Sequence, residues 1–324
     1  MKIRAILTLS VLAVVLAFFS YWMAQQSYLW FPPQAAAEAK LFDDLFAIFV
    51  GLGTFIFFGV TIPLTYSLIF HRAGKYDMSD GPAIEGNTVL EVIWTAVPVL
   101  LVAGLVTASY NTYTRMNIAG PMELVHLHPP ALMEPAYAEP IVGDKLESDI
   151  VEPINVNVRQ WAWIFHYPKQ NVTSTELHLP SDRRVRLTLH SDDVLHGFYV
   201  PAFRLKQDVV PNHEIDLEFT PIREGTYRLR DSMFSGTYFA ANQADVVVES
   251  LGDYERWLAQ AAERPPAPAF NQAAYEYETA IGGNTKDKVA VRGWETIPPA
   301  PPPIVNYAPT PPDRSLTISA SSPQ

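Results

Sequence analysis

The chain has 324 residues, of which 48% are apolar and none is cysteine. The absence of cysteine excludes disulfide bridges, thiolate zinc and iron–sulfur sites, a cysteine nucleophile and a lipidated N-terminal cysteine. Any metal would have to bind to histidine, methionine or carboxylate side chains. The balance of 23 Lys and Arg against 34 Asp and Glu argues against a nucleic-acid partner, because phosphate contacts need clustered cations.

Three uncharged runs in the first third of the chain are each long enough to cross a bilayer. They extend from Ala5 to Met23, from Leu45 to Phe70 and from Val92 to Thr114, whereas a membrane helix needs about 20 apolar residues. The sequence therefore predicts an N-terminal anchor or signal-like helix within residues 1–40 and two transmembrane helices within residues 41–116. The length of the first run favours an uncleaved anchor over a cleaved secretory signal.

The basic residues beside these runs indicate their orientation. Lys2 and Arg4 precede the first run, and Arg72 and Lys75 follow the second. The positive-inside rule then places the N-terminus and the loop after the second helix in the cytoplasm. The chain from about residue 115 onward is expected outside the membrane.

The negative charge is concentrated in that outer part. Residues 1–116 carry 6 basic and 7 acidic side chains, whereas residues 117–324 carry 17 and 27. A field of one sign keeps a domain soluble and can steer a basic partner towards it.

The hydrophobic period changes to two between residues 151 and 250. Apolar residues alternate with polar ones at three places, namely Ile154, Val156 and Val158, then Val185, Leu187 and Leu189, then Ile215, Leu217 and Phe219. This pattern predicts short antiparallel strands in an all-β sandwich or barrel of about 100 residues. A short helix is predicted after the strands, with Asp253 as its N-cap.

Two segments have the composition of linkers. Residues 117–150 show no clear periodicity, and residues 263–324, here called the tail, contain 12 of the 28 prolines. We expect the first segment to be a linker and the tail to be extended or disordered. The predicted β-domain accordingly spans residues 151–262.

Four motifs occur in an order that resembles subunit II of haem–copper terminal oxidases. They are Leu90 to Thr95, Gln160 to Trp163, Asp193 to Pro201 and Leu205 to Asp208. The resemblance covers residues 41 to 260, and the loop at 80–87 is similar to that of cyanobacterial members. It implies a membrane α-helical hairpin region followed by a cupredoxin-like Greek-key β-barrel on the extracytoplasmic side.

The same resemblance identifies the positions of a dinuclear copper centre, CuA, which in that family accepts electrons from cytochrome c. His196 retains one ligand, but the other ligand positions hold Asp231, Met233, Ser235, Phe239 and Asn242. A copper pair needs bridging thiolates, which carboxylate and hydroxyl groups cannot replace. The sequence therefore excludes CuA. A weak single-copper site on His196 with Asp231 or Met233 is the alternative to a hydrogen-bonded histidine in a metal-free pocket.

Without CuA, the expected electron donor is quinol. Cytochrome c delivers electrons at the aqueous face and needs a relay there, whereas quinol reaches the haem subunit from the bilayer. We expect subunit II of a bacterial respiratory oxidase that reduces oxygen to water and binds no cofactor itself. The resemblance implies haem and CuB in subunit I, a further subunit III, and lipid as a neighbour. A cytochrome c oxidase with an altered electron route and a non-catalytic assembly subunit are the alternatives.

Four further residues have roles implied by the resemblance. Trp161 matches a surface tryptophan where electrons enter from cytochrome c, but it also fits a structural pair with Trp163 on one strand face. Asp192 and Asp193 match docking carboxylates or are simply solvated. Glu91 matches a glutamate at the mouth of a proton channel, although a carboxylate in a first helical turn is also favoured by the helix dipole.

Overall fold

The chain folds into two compact units in the computed structural model, which describes residues 3–72, 76, 86–116, 118–119, 151–282 and 297–309. One unit holds Met1–Pro32 and Lys40–Met116, and the other holds Pro33–Ala39 and Asn117–Gln324. Most of the predicted linker, residues 120–150, and two parts of the tail, 283–296 and 310–324, lie outside the described residues.

The first unit consists of helices α1 (Ile3–Gln26), α2 (Ala39–Phe70) and α3 (Thr88–Arg115). All three are long and apolar enough to cross a membrane, by length and composition. The three predicted membrane helices are therefore confirmed. Asn87 begins α3 as its N-cap, because its side chain accepts hydrogen bonds from the amides of Val89 and Leu90 and so satisfies donors that have no partner within the helix.

The second unit is a β-domain built from two large sheets. Its strands, in chain order, are β1 (Ile118–Ala119), β2 (Glu152–Arg159), β3 (Ala162–Tyr167), β4 (Val172–Ser174), β5 (Leu177–Pro180), β6 (Val185–Ser191), β7 (His196–Val200), β8 (Leu205–Val209), β9 (Ile215–Phe219), β10 (Gly225–Asp231) and β11 (Gln243–Glu249). One sheet has the order β1-β9-β6-β2-β3-β4, and the other has the order β5-β11-β10-β7-β8. The prediction of helices followed by an all-β domain is confirmed.

The core lies between these two sheets. The alternating apolar residues identified in the sequence are at most 1% exposed: Ile154, Val156, Val158, Val185, Leu187, Leu189, Ile215, Leu217 and Phe219. Trp163 on β3 meets Phe198 on β7 with ring centroids 5.8 Å apart. The inner faces of the sheets therefore pack against each other, as the period of two requires.

The expectation that all strands are antiparallel is wrong at two places. β2 pairs with β6 in parallel, and β5 pairs with β11 in parallel. In both cases other strands lie between the partners in sequence, which supplies the long connection that a parallel pair needs.

The β-domain also includes residues assigned from sequence to the anchor and the linker. The backbone of Ala35 bonds to Ala202 and Ile222, and Thr220 donates to the side chain of Glu38. β1, which starts the predicted linker, pairs with β9. These stretches are too short to show a hydrophobic period. Their membership of the β-domain is therefore visible only from the strands and loops to which they bond.

The helix after the strands, α4, extends over Leu251–Ala262 and is capped by Ser250 rather than Asp253. The Ser250 hydroxyl accepts from the amide of Asp253 and donates to its carboxylate, at 3.2 and 2.6 Å. Ser250 therefore satisfies the amide of Asp253, the third helical residue, which has no partner within the helix.

The described parts of the tail are folded, so the expectation of an extended or disordered tail is wrong for them. They form β12 (Ala267–Pro268), α5 (Gln272–Gly282) and β13 (Ile304–Val305), and β12 pairs with β13. Ala273 and Val305 are 0% and 3% exposed. The prolines limit regular structure within the tail, but its few apolar side chains pack on the β-domain.

Candidate functional site

The residues at the former copper positions converge at one end of the second sheet. His196 begins β7, Asp231 ends the neighbouring β10, and Asn242 directly precedes β11. The antiparallel register pairs Asp231 with Phe198, which brings the ends of these strands together. The loop 232–242 connects β10 to β11 and closes over this point.

Asp231 organises the site. Its carboxylate accepts five hydrogen bonds of 2.7–3.1 Å, from Gly197 N, Met233 N, His196 Nδ1, Ser235 Oγ and Asn242 Nδ2. Burial by itself raises the pKa of Asp231, but the bonds from His196, Gly197 and Asn242 outweigh it and hold the pKa below its ordinary value. The group is therefore a fully hydrogen-bonded carboxylate that fastens the loop 232–242 to β7.

His196 lies between two carboxylates. Its Nδ1 is 2.7 Å from Asp231 and its Nε2 is 3.0 Å from Asp193, and the residue is 0% exposed. A neutral imidazole donates from only one nitrogen, so two carboxylate partners favour the charged ring. Burial lowers the pKa of His196, but the bonds to Asp193 and Asp231 prevail and raise it. We call His196, Asp193 and Asp231 the His196 cluster.

Asp193 extends this cluster to the turn before β3. Its carboxylate accepts from the backbone amides of Gln160 and Val194 at 2.7 and 2.6 Å. Burial raises its pKa, whereas the bonds from His196, Gln160 and Val194 lower it, and the net pKa is below the ordinary value. Sequence reasoning treated Asp193 as a docking or solvated carboxylate and missed this role, although its position three residues before His196 was the available signal.

Both tryptophans of the QWAW motif hold the same loop. Trp161 Nε1 donates to the carbonyl of Ser235, and Trp163 Nε1 donates to the carbonyl of Asn242, each at 3.2 Å. Trp161 is 2% exposed and lies in the turn before β3 rather than on a strand. It is therefore not a surface residue, and the two indoles bind the loop at different points instead of sharing one strand face.

The tail covers this turn. Asn271 donates to the carbonyl of Trp161 at 3.1 Å, and the amide of Ala300 donates to the carbonyl of Gln160 at 2.8 Å. Gly236 lies against the other side of the indole, where a Cβ would stand 2.8 Å from Trp161 Cζ2, and its φ of +115° suits glycine. Trp161 is enclosed between the loop and the tail.

The remaining two former ligand positions take no part in the hydrogen-bonded centre through their side chains. Met233 joins it only by its backbone amide. Phe239 contacts Phe234 edge-on, with ring centroids 5.2 Å apart, and Phe234 is 77% exposed. The structure thus brings together His196, Asp231, Ser235 and Asn242.

The residues present do not fit a dinuclear copper centre. Both oxygens of Asp231 are already used by hydrogen bonds, both nitrogens of His196 face carboxylates, and no thiolate is available. Within the described part of the chain, no group of three or more His, Cys, Asp or Glu side chains is arranged to hold a metal ion. Soft ligands that share charge between two coppers are therefore replaced by a hard ionic network.

Glu91 belongs to the helical unit. It lies in the first turn of α3, where its side chain is exposed and its backbone carbonyl accepts from Thr95 Oγ1 at 2.9 Å. Its carboxylate approaches the chain before the helix, because a Cβ on Gly86 would stand 2.8 Å from Glu91 Oε1. Glu91 is thus an accessible ionisable group at the start of a membrane-type helix. This position is compatible with a role in proton entry and with a role as a carboxylate that stabilises the helix start.

Comparison with known proteins gives matches along most of the chain. The family models for the transmembrane and periplasmic domains of cytochrome c oxidase subunit II match residues 20–111 and 171–251. Cytochrome c oxidase subunit 2 of Synechocystis sp. is 32% identical over 292 residues, which cover 84% of this chain and 87% of that protein. Quinol oxidase subunit 2 of Bacillus spizizenii is 27% identical over 266 residues, which cover 81% of this chain and 75% of that protein.

A solved structure is also similar to the β-domain. It is the periplasmic domain of subunit II of cytochrome oxidase from Bradyrhizobium japonicum, with 21% identity and a TM-score of 0.32. The match covers 33% of this chain and 90% of that one.

Proposed function

The chain belongs to the cytochrome c oxidase subunit II family, and on this premise we propose that it serves a haem–copper terminal oxidase that takes its electrons from quinol. Members of the family are subunits of oxidoreductase complexes whose catalytic metals lie in subunit I. The chain is accordingly a membrane protein with a cupredoxin-like extracytoplasmic domain. The electron donor is the open question, because the relatives include both cytochrome c and quinol oxidases.

One observation carries the choice of quinol. Asp231 occupies a former thiolate position and uses both of its oxygens in five hydrogen bonds within a closed network. An aqueous electron carrier needs a redox centre near the outer face, and this network offers no ligands for one. A quinol dissolved in the bilayer does not need such a relay.

The burial of Trp161 supports the same choice. An altered route from cytochrome c through this residue requires that the carrier reach the indole. At 2% exposure, with the tail bonded to the carbonyls of Trp161 and Gln160, the ring has no face open to a soluble protein within the described residues. Asp193 supports it as well, since its carboxylate is occupied by His196 and by backbone amides.

The proposed assembly follows from this role. Subunit I would carry haem and CuB, subunit III and lipid would be neighbours, and the complex would lie in a bacterial cell membrane. This chain would contribute helices α1, α2 and α3 to the membrane part, and its β-domain would lie on the outer side and contact subunit I. It would bind no cofactor of its own.

Oxygen consumption by the purified complex tests the donor. We expect faster turnover with a soluble quinol analogue than with reduced cytochrome c, at both low and high salt. Faster, salt-sensitive turnover with cytochrome c would reject the proposal. Unchanged oxygen uptake by membranes that lack this chain would instead favour an assembly role.

We propose proton entry as the role of Glu91. The substitution Glu91→Gln keeps the size and the helix start but removes the ionisable group, so turnover or proton translocation should fall. Glu255→Gln, an exposed position on α4, is the matched control and should have no effect. Equal rates in wild type and Glu91→Gln would leave Glu91 as a helix-start carboxylate only.

A further inference from the structure

A second histidine lies between two carboxylates, outside the former copper site. His178 on β5 is 5% exposed. Its Nδ1 is 2.7 Å from Glu249 at the end of β11, and its Nε2 is 3.1 Å from Glu176, which precedes β5. We call these three residues the His178 cluster. As with His196, the ring can donate a hydrogen bond to both carboxylates only when both of its nitrogens carry a proton.

Aromatic rings from α4 and from the tail cover this cluster. Trp257 of α4 stacks on the His178 ring at 3.8 Å, with 9° between the planes. Tyr307 of the tail meets the same ring edge-on at 5.5 Å and meets Trp257 at 5.5 Å. The tail therefore forms part of the wall that keeps the cluster away from water.

Residues 303–309 are attached by a small number of other bonds, beginning with the pairing of β13 with β12 and the bond from Ala269 N to the carbonyl of Pro303, both within the tail. The amides of Asn306 and Tyr307 donate to the carbonyl of Thr173, and Thr175 donates back to Tyr307. The Asn306 side chain joins Thr173 N to the carbonyl of Arg264. These bonds extend the edge of the first sheet at β4, and an attachment of this size can open locally without unfolding the domain.

We propose that the His178 cluster is a pH-sensitive latch for the tail, which holds residues 303–309 on the β-domain when the ring is charged and releases them when it is neutral. Loss of one ring proton leaves a nitrogen lone pair facing a carboxylate. Glu176, 8% exposed, then becomes a buried charge without its cationic partner, which is costly unless water enters. Water enters when Tyr307 moves away.

Titratable groups from several elements lie around the ring, and the Tyr307 hydroxyl of the tail also hydrogen-bonds to Glu176. Glu176 and Glu249 favour the charged ring, and Tyr167 on β3 donates to the His178 carbonyl. α4 contributes the uncharged Trp257, and Arg264 after α4 lies over the Tyr307 ring. Burial lowers the pKa of His178, but the bonds to Glu176 and Glu249 prevail and raise it above its ordinary value.

The sign follows from this raised pKa. The contribution of the charged ring is fully present below the ordinary pKa of histidine and is lost as pH rises through the higher pKa of the folded protein. The tail is therefore held below the ordinary pKa of histidine and released as pH rises above the higher pKa of the folded protein. Because the domain is extracytoplasmic, the pH outside the membrane sets the state of the latch.

The absence of cysteine from the chain allows a direct test in the assembled complex. Val305 is 3% exposed and its neighbour Ile304 is 66% exposed, so Val305→Cys reports release and Ile304→Cys is the matched control. Methyl methanethiosulfonate labelling of this chain is followed by mass spectrometry. The labelling rate of Val305→Cys is divided by that of Ile304→Cys. Both rates change with the ionisation of the thiol, so this change cancels in the ratio. We expect the ratio to rise about tenfold or more between about pH 6 and 9.

Two further variants separate the latch from general loosening. In a His178→Gln background the ratio should show no pH step. In a Glu249→Gln background the step should move to lower pH, whereas Glu255→Gln should leave it in place. A flat ratio in the otherwise unchanged chain, a step that persists without His178, or a midpoint unmoved by Glu249→Gln would overturn the proposal. If His178→Gln does not assemble, the Glu249→Gln midpoint decides.

Discussion

The two buried histidines of the β-domain have the same chemistry and different surroundings. His196 and His178 each lie between two carboxylates at hydrogen-bond distance. Each cluster has one less exposed and one more exposed carboxylate: the side chains of Asp231 and Asp193 are 0% and 28% exposed, and those of Glu176 and Glu249 are 11% and 21% exposed. The rings are 0% exposed in His196 and 6% exposed in His178, so the larger difference between the two clusters is in the elements that they join.

What each histidine holds also differs. The His196 cluster joins β7, β10, the loop 232–242 and the turn at Gln160, which are all parts of the barrel. The His178 cluster joins the barrel to seven residues of the tail. The same pairing therefore acts as a permanent fastening in the first place and as a latch in the second.

The largest effect is expected from Asp231→Ala. It removes the acceptor of five hydrogen bonds and leaves the buried His196 ring with Asp193 as its one remaining carboxylate partner, which should cost about 3–5 kcal/mol. The measurement is thermal melting of the purified complex together with its yield. Asp245→Ala, which breaks the surface pair with Arg228, is the control and should cost about 0–1 kcal/mol. Equal effects of the two changes would show that the network does not organise the site.

The next largest effect is the difference in stability loss between His196→Gln and His178→Gln. Loss of His196 leaves Asp231 without its charged partner inside the barrel, at a cost of about 3 kcal/mol or more. Loss of His178 should cost less, because release of residues 303–309 lets both Glu176 and Glu249 regain water without opening the rest of the domain. Melting temperatures of the two variants in the same complex give the difference. A larger loss for His178→Gln would reverse the assignment of fastening and latch.

The smallest effect is expected from pH in the unmodified complex. Asp193 and Asp231 have lowered pKa values, so the stability they contribute is present above the ordinary carboxyl pKa of 3.8 and is lost as pH falls through their lower folded values. His196 has a raised pKa, so its contribution is lost as pH rises through a value above 6.5. Melting temperature against pH should show a plateau between these limits. Asp231→Asn, which removes one partner of the ring, should bring the alkaline limit to lower pH.

The residue patterns predicted the long central strands of the sheets better than the short strands β1 and β13. Period-two alternation located the buried positions of β2, β6 and β9, because alternate residues point to one face. It could not show that β2 and β6 run in parallel, since alternation is the same in either direction. It also missed β1 and β13, whose two residues each are too short for any period.

The structure brings together four of the six positions singled out from the sequence, namely His196, Asp231, Ser235 and Asn242, and adds Asp193. The position of Asp231 in the copper-ligand block identified it as a replaced ligand, and its chemistry excluded a thiolate. That this carboxylate accepts five hydrogen bonds depends on β7, β10 and the loop meeting at one point. The folded tail was missed for a related reason: its composition is that of a disordered segment, and its order comes from a few side chains, such as Val305, that pack on surfaces far away in sequence.

The sequence by itself determined the three membrane helices, the β-domain and the absence of sulfur ligands, because these follow from the kinds of residue present and their spacing. Only the tertiary structure decided that His196 and Asp231 form a saturated network, that Trp161 is buried, and that the tail lies over His178. Hydrogen bonds and burial are properties of groups brought together from distant parts of the chain, and no local pattern records which groups will meet.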